Sequence, residues 1–150
     1  MSEANPTDPQ LLAERSAAAL HAADRASQSL GMRIAAIAPR ECVVKMTVTE
    51  AMLNGQANCH GGIIFALADS AFAFACNSEG VPTVSASSSI DYLVAARAGD
   101  ELTATARSLW QGGRSGLYEV TVVNQDGTRV ALFRGRSHRR GDPPQPREEK

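Results

Sequence analysis

Cysteine is scarce in this chain, three in 150 residues, and Cys42, Cys59 and Cys76 form no CxxC pair. An odd number of thiols beside small or apolar neighbours does not make a disulfide framework, so a reducing compartment, the cytoplasm, is expected. The N-terminal MSEANPTDPQ has Glu3, Asp8 and two prolines where an export signal would need basic residues followed by an apolar run. The strongest apolar stretch, Ile63 to Cys76, is interrupted by Asp69 and Ser70 and falls short of the about 20 residues a bilayer span needs. No membrane partner is expected. Charge of one sign is also missing: 15 Lys and Arg stand against 16 Asp and Glu, for a net charge of −1. Such a balance collects no phosphate backbone, and a nucleic-acid partner is set aside. Phosphate-cradling GxGxxG and GxxxxGK[ST] loops do not occur, and neither do internal repeats.

What remains is an ordinary globular composition, 43% apolar and 21% charged, at a length that suits one domain. Residues 1–9, and 141–150 with three prolines, read as flexible tails around a folded unit of 10–140. The Ala-rich segment LLAERSAAALHAADRA predicts a helix over Leu11 to Ala26. Met32 to Ala38 and Glu41 to Val48 read as a hairpin turning at Pro39. After Gly61-Gly62 the apolar residues surround the helix instead of striping it, which predicts burial on nearly all sides up to Gly80-Val81-Pro82. Four strands follow, Thr83 to Leu93, Glu101 to Trp110, Gly116 to Asn124 and Thr128 to Arg136. The sum is an α+β domain in which an antiparallel sheet curls around a central helix.

Chemistry concentrates in NGQANCHGGIIFALADS, residues 54–70. The first N–H groups of a helix lack intrahelical partners and carry the positive end of its dipole, and glycine lets a carbonyl approach them. Gly61-Gly62 therefore reads either as an oxyanion site or as a tight turn into the helix. Asp69 lies among apolar residues, where an ionised carboxylate costs several kcal/mol unless paired or solvated. No Lys or Arg lies between Lys45 and Arg97 to pair with it locally. It is either a structural group held by hydroxyl and backbone donors or a catalytic carboxylate. If both groups act on one carbonyl, they are too far apart: eight residues at 1.5 Å place them roughly 12 Å apart along the axis. The site would then be shared by two chains about a two-fold axis.

Other combinations are weaker. A Ser-His-Asp set from Ser70, His60 and Asp69 lacks the GxSxG turn, and Ser70 faces away from its neighbour Asp69. Cys59 and His60 with Cys76 or His138 lack metal-ligand spacing, so no metal is expected and core thiols are the better account. Arg134, Arg136, His138 and Arg140 alternate onto one strand face, as a phosphate-binding row or a solvated surface. Phe65, Phe72, Phe74 and Tyr92 read as core rather than pocket.

NCHGGIIFALADSAFAFACN resembles the HGG…AD signature of the hotdog-fold acyl-CoA thioesterases, and within them the phenylacetate-degradation subfamily. MTVTEAMLNGQANCHGG, FACNSEG, ASSSIDYL, GDELTATA and VALFRGRSHR extend the likeness over roughly residues 22–140. The resemblance implies a sheet wrapped around a long helix, a homodimer through a continuous sheet, often a homotetramer, and an acyl-CoA substrate, aryl-acetyl or a similar acyl group, cleaved without cofactor. It implies that His60 and Gly61 open the helix with Gly61 polarising the thioester carbonyl; Gly62, with no side chain to block the approach, is offered beside it to substrate binding. Asp69 of the opposing subunit would be nucleophile or general base, Asn54 would orient that carboxylate or its water, and Ser85 would position water. Arg134 and Arg136 are the residues offered to the substrate's phosphates. A non-catalytic acyl-CoA-binding module and a hotdog dehydratase are the alternatives.

Overall fold

The computed structural model describes residues 8–141. The two expected tails therefore lie outside the described residues, except at their inner ends. Asp8 and Pro9, assigned above to the tail, start helix α1 (Pro9–Ala23): the Asp8 carboxylate accepts from the Gln10 N–H at 3.0 Å, and Pro9 occupies the first turn, where no N–H is needed. The single helix expected through Ala26 is broken. Asp24 leaves helical geometry and accepts from the Ser27 N–H (3.0 Å) and Ser27 Oγ (2.5 Å), capping a second helix, α2 (Arg25–Ser29). A capping aspartate interrupts a run whose alanines alone favour continuity.

Strands β1 (Arg33–Ala38) and β2 (Glu41–Thr47) form the expected hairpin. Helix α3 (Gly61–Cys76) is followed by β3 (Thr83–Tyr92), β4 (Glu101–Gly112), β5 (Ser115–Val123) and β6 (Arg129–Arg139). All pairings are antiparallel, in the order β1-β2-β4-β5-β6-β3, and the sheet wraps α3, which touches every strand. This is the hotdog architecture. Its core joins Leu67, Phe72 and Phe74 of α3 to Val44, Met46, Leu102, Val120 and Phe133 of the sheet. α3 stops at Cys76, before Gly80, because the Asn77 side chain bonds Ala73 O and both backbone groups of Thr83, turning the chain into β3.

Two features of this frame bear on the site. α3 is not buried on all sides: Gly62, Ala66, Asp69, Ser70 and Ala73 form a half-buried to exposed stripe that no strand covers. β3, ten residues long, is an edge strand exposed along Val84–Ser89 and contains neither Lys nor Pro after Thr83 to discourage pairing. No helix among the described residues is long and apolar enough to cross a membrane.

The close approach of α3 to the sheet fixes Gly135. A Cβ there would stand 2.8 Å from Phe72 Cε1, inside a packed core. Gly135→Ala is expected to cost about 1–3 kcal/mol through overpacking, read as a melting temperature lowered by several degrees. An unchanged melt would mean that Phe72 repacks freely.

Candidate active site

The start of α3 is held by a pinned loop. Leu53 bridges to Cys59, and Asn54 Oδ1 accepts from the N–H groups of Gln56 (2.9 Å) and Asn58 (3.2 Å). His60 N donates to Met52 O at 2.8 Å. His60 then caps α3: its Nδ1 accepts from the Gly62 N–H at 2.9 Å, and its carbonyl accepts from Ile63 and Ile64. Because Nδ1 accepts, the ring proton of the neutral imidazole sits on Nε2. The cap occupies the Gly62 amide and leaves that of Gly61, which has no hydrogen-bond partner among the described residues. A single oriented donor at the positive end of a 16-residue helix is the arrangement an oxyanion requires.

Tyr92, set aside above as core, is 51% exposed and stands over this point. Its phenol donates to Gly61 O at 2.7 Å, and burial of the hydroxyl raises its pKa, keeping it a donor. Tyr92, Leu93 and Val94 join Gly61, Asn54 and Asn58 around a pocket of about 280 Å³. The aromatic ending of SSSIDY was visible in the sequence, but its place over Gly61 depends on β3 pairing with β6, a contact between distant segments.

Asp69 lies two turns along α3, on the uncovered stripe. It makes no hydrogen bond or ion pair among the described residues, and burial raises its carboxyl pKa above the ordinary value. The structural reading of Asp69 required donors, and none is there. The carboxylate faces a second pocket, of about 230 Å³, between α2 and α3. Its neighbour Ser70 bonds Ser27 Oγ at 3.0 Å, so that hydroxyl belongs to the Asp24–Ser27–Ser70 chain rather than to a triad.

The remaining expected residues are dispersed. Asn54 shares the Gly61 pocket, with its Oδ1 engaged in the loop. Ser85 is seven residues before Tyr92, more than about 20 Å along β3, and its hydroxyl meets Ser88 Oγ at 3.1 Å. Within one chain it does not join Gly61. Arg134 and Arg136 are exposed on the sheet face away from α3, paired in register with Ser89 and Ser87, and neither forms an ion pair among the described residues. The three thiols are buried, and burial pushes those of Cys42 and Cys76 up to about 12, which keeps them protonated and inert.

A sheet wrapped on a helix that presents a free amide at its start and a free carboxylate at its centre defines a class, and the comparisons agree: residues 56–131 match the Thioesterase superfamily, and the chain belongs to that family of hydrolases. Among its relatives, the acyl-coenzyme A thioesterase PaaI of Escherichia coli strain K12 is 48% identical over 127 residues, 85% of this chain and 91% of that protein. The structure of the E. coli PaaI protein, from the phenylacetic acid degradation operon, superposes with a TM-score of 0.88 at 46% identity, covering 90% of this chain and 98% of that one. The crystal structure of smu.793 from Streptococcus mutans UA159, bound to acetyl CoA, superposes with a TM-score of 0.72 at 29% identity over 74% and 90% of the two chains.

Proposed function

We propose that this chain hydrolyses acyl-CoA thioesters, with aryl-acetyl groups such as phenylacetyl or hydroxyphenylacetyl as the acyl part, in a site shared by two copies. One observation carries the reading: α3 bears one unpartnered amide and one unpartnered carboxylate, Gly61 and Asp69, roughly 12 Å apart along its axis. Two groups that act on the same carbonyl must both lie about 3 Å from it. A second copy packed about a two-fold axis, with its β3 edge along that of the first, brings Gly61 of each chain to Asp69 of the other. The long unprotected β3 edge and the Asp69 carboxylate left without a partner in one chain support that pairing, as dimer or dimer of dimers. Relatives named for acyl-coenzyme A thioesters, and one solved with acetyl CoA, support the substrate class.

In the reaction the Gly61 N–H donates to the thioester oxygen as it gains negative charge. Asp69 takes a proton from an attacking water, or attacks the carbon itself. Collapse of the tetrahedral intermediate breaks the C–S bond and the thiolate of CoA leaves; attack by water yields the acid directly, whereas attack by Asp69 yields a mixed anhydride that a water then hydrolyses to the acid and the free Asp69 carboxylate. A thiolate needs little help to depart, so a donor and a carboxylate suffice. His60 sets the direction of the amides, and Asn54, through its free Nδ2, orients water or carboxylate. Ser85 reaches a site only from the strand that pairs across the two-fold axis. Gly62 shapes the approach, and Arg134 and Arg136 are the cations available to CoA phosphates.

Release of free thiol from a panel of acyl-CoAs tests the activity and separates it from a binding module or a dehydratase. The sharing is tested by refolding a Gly61→Ala chain together with an Asp69→Asn chain. One of the two sites in each mixed dimer then holds both intact groups, and activity is expected to return. No recovery despite demonstrated subunit exchange would place the site within one chain.

A further inference from the structure

We propose that the pocket between α2 and α3 receives the acyl group and selects compact, uncharged groups, an inference that rests on the thioesterase reading above. The cavity is the one into which Asp69 faces, so an acyl carbon under attack by Asp69 or its water lies at this pocket's mouth. Its walls are carbon from two directions, Ala66 and Ala73 on α3 and Ala26, Leu30 and Met32 across from them. The other arm of the thioester, long and amide-bearing, is suited to the Gly61 pocket of the partner copy, where Asn54 and Asn58 offer hydrogen-bonding groups. The volume of about 230 Å³ exceeds the ~150 Å³ of an apolar cavity that binds benzene, which admits a ring with a short linker but not a long chain.

Its polar groups set the sign of the selection. Asp24 is held by the Ser27 N–H at 3.0 Å and Ser27 Oγ at 2.5 Å, and Ser27 Oγ meets Ser70 Oγ at 3.0 Å. The two hydroxyls are engaged with each other and with Asp24, while the carboxylates of Asp24 and Asp69 both line the cavity and no Lys or Arg does. An acyl group ending in a carboxylate would enter beside two like charges without a cation, whereas a neutral ring meets carbon.

The test is a set of acyl-CoAs, acetyl, phenylacetyl and succinyl, run with the whole protein and two variants. Ala26 is exposed on α2, so Ala26→Leu intrudes into the cavity without touching the core. It is expected to lower the ratio of kcat/KM for phenylacetyl-CoA over acetyl-CoA by about tenfold, the effect of a misfitted methylene or two. Asp24→Asn keeps a capping side chain and removes the charge, and is expected to raise the ratio for succinyl-CoA over phenylacetyl-CoA by about tenfold. If wild type cleaves acyl-CoAs in an Asp69-dependent way and both ratios stay fixed, the acyl group binds elsewhere and this inference falls while the thioesterase reading stands. If wild type cleaves no acyl-CoA, both fall.

Discussion

Asp69→Asn is expected to lower kcat by about 10²- to 10⁴-fold with KM much less changed, because the amide keeps the shape and loses both nucleophilicity and basicity. The same substitution is expected to leave the protein at least as stable as the parent. Burial raises the Asp69 carboxyl pKa and no donor compensates, so its charge is a cost to the folded state. The sign follows from proton linkage. A carboxyl whose pKa is higher folded than unfolded binds more protons in the native state between the two values, so its contribution to stability falls as pH rises through them. The gain from Asn should therefore be present at neutral pH and vanish in melts below the unfolded value, while wild-type activity falls as pH drops through the raised pKa. Loss of stability with retained activity would restore a structural role for Asp69. Single turnover in water enriched in oxygen-18 then bears on the two chemistries: label in Asp69 means an anhydride intermediate, and label only in the product acid favours a general base.

The parts of this site that lie on one stretch of chain were legible in residues 54–70, since a helix start and a carboxylate two turns later are local facts of spacing. The strands were legible where alternation was strong, as in ELTATA and GLYEVTVV, whose inward residues are Leu102, Ala104, Tyr118, Val120 and Val122. What the sequence hid was set by contacts between distant segments. The break at Asp24 depends on a side chain turning back to Ser27, against alanine propensity on both sides. SASSS carries little apolar alternation, so its place beside β6 at the open edge, and with it Tyr92 over Gly61, follows from sheet order rather than local pattern. Uniform hydrophobicity around α3 pointed to complete burial. The stripe through Ala66, Asp69 and Ala73 stays half-buried because no strand reaches it and the short helix α2 leaves a pocket beside it.

The glycine at 61 has two possible reasons, and substitution tells them apart. A Cβ there would stand 3.1 Å from Tyr92 Cζ and Oη, so the residue is small either because the ring lies on it or because a carbonyl must reach its amide. Gly61→Ala keeps the N–H and adds a methyl beside a half-exposed ring that can yield, so the chain should fold and kcat should drop by about 10²-fold or more as the approach is obstructed. If crowding by the ring were the whole cause, Tyr92→Ala would relieve it, and the loss caused by Gly61→Ala would disappear in that background; we expect it to persist, as independent effects do. Gly61→Pro removes the donor itself. Position 61 is the first of the helix, where a missing N–H costs the helix nothing, and His60 at ψ 131 already has the extended geometry preferred before proline. In the Tyr92→Ala background, which makes room for the ring, Gly61→Pro is expected to retain the fold and lose about 10²- to 10³-fold in kcat, the value of one oxyanion donor. A folded Gly61→Pro enzyme with the turnover of its Tyr92→Ala parent would show that the charge developing on the thioester oxygen is met by some other group.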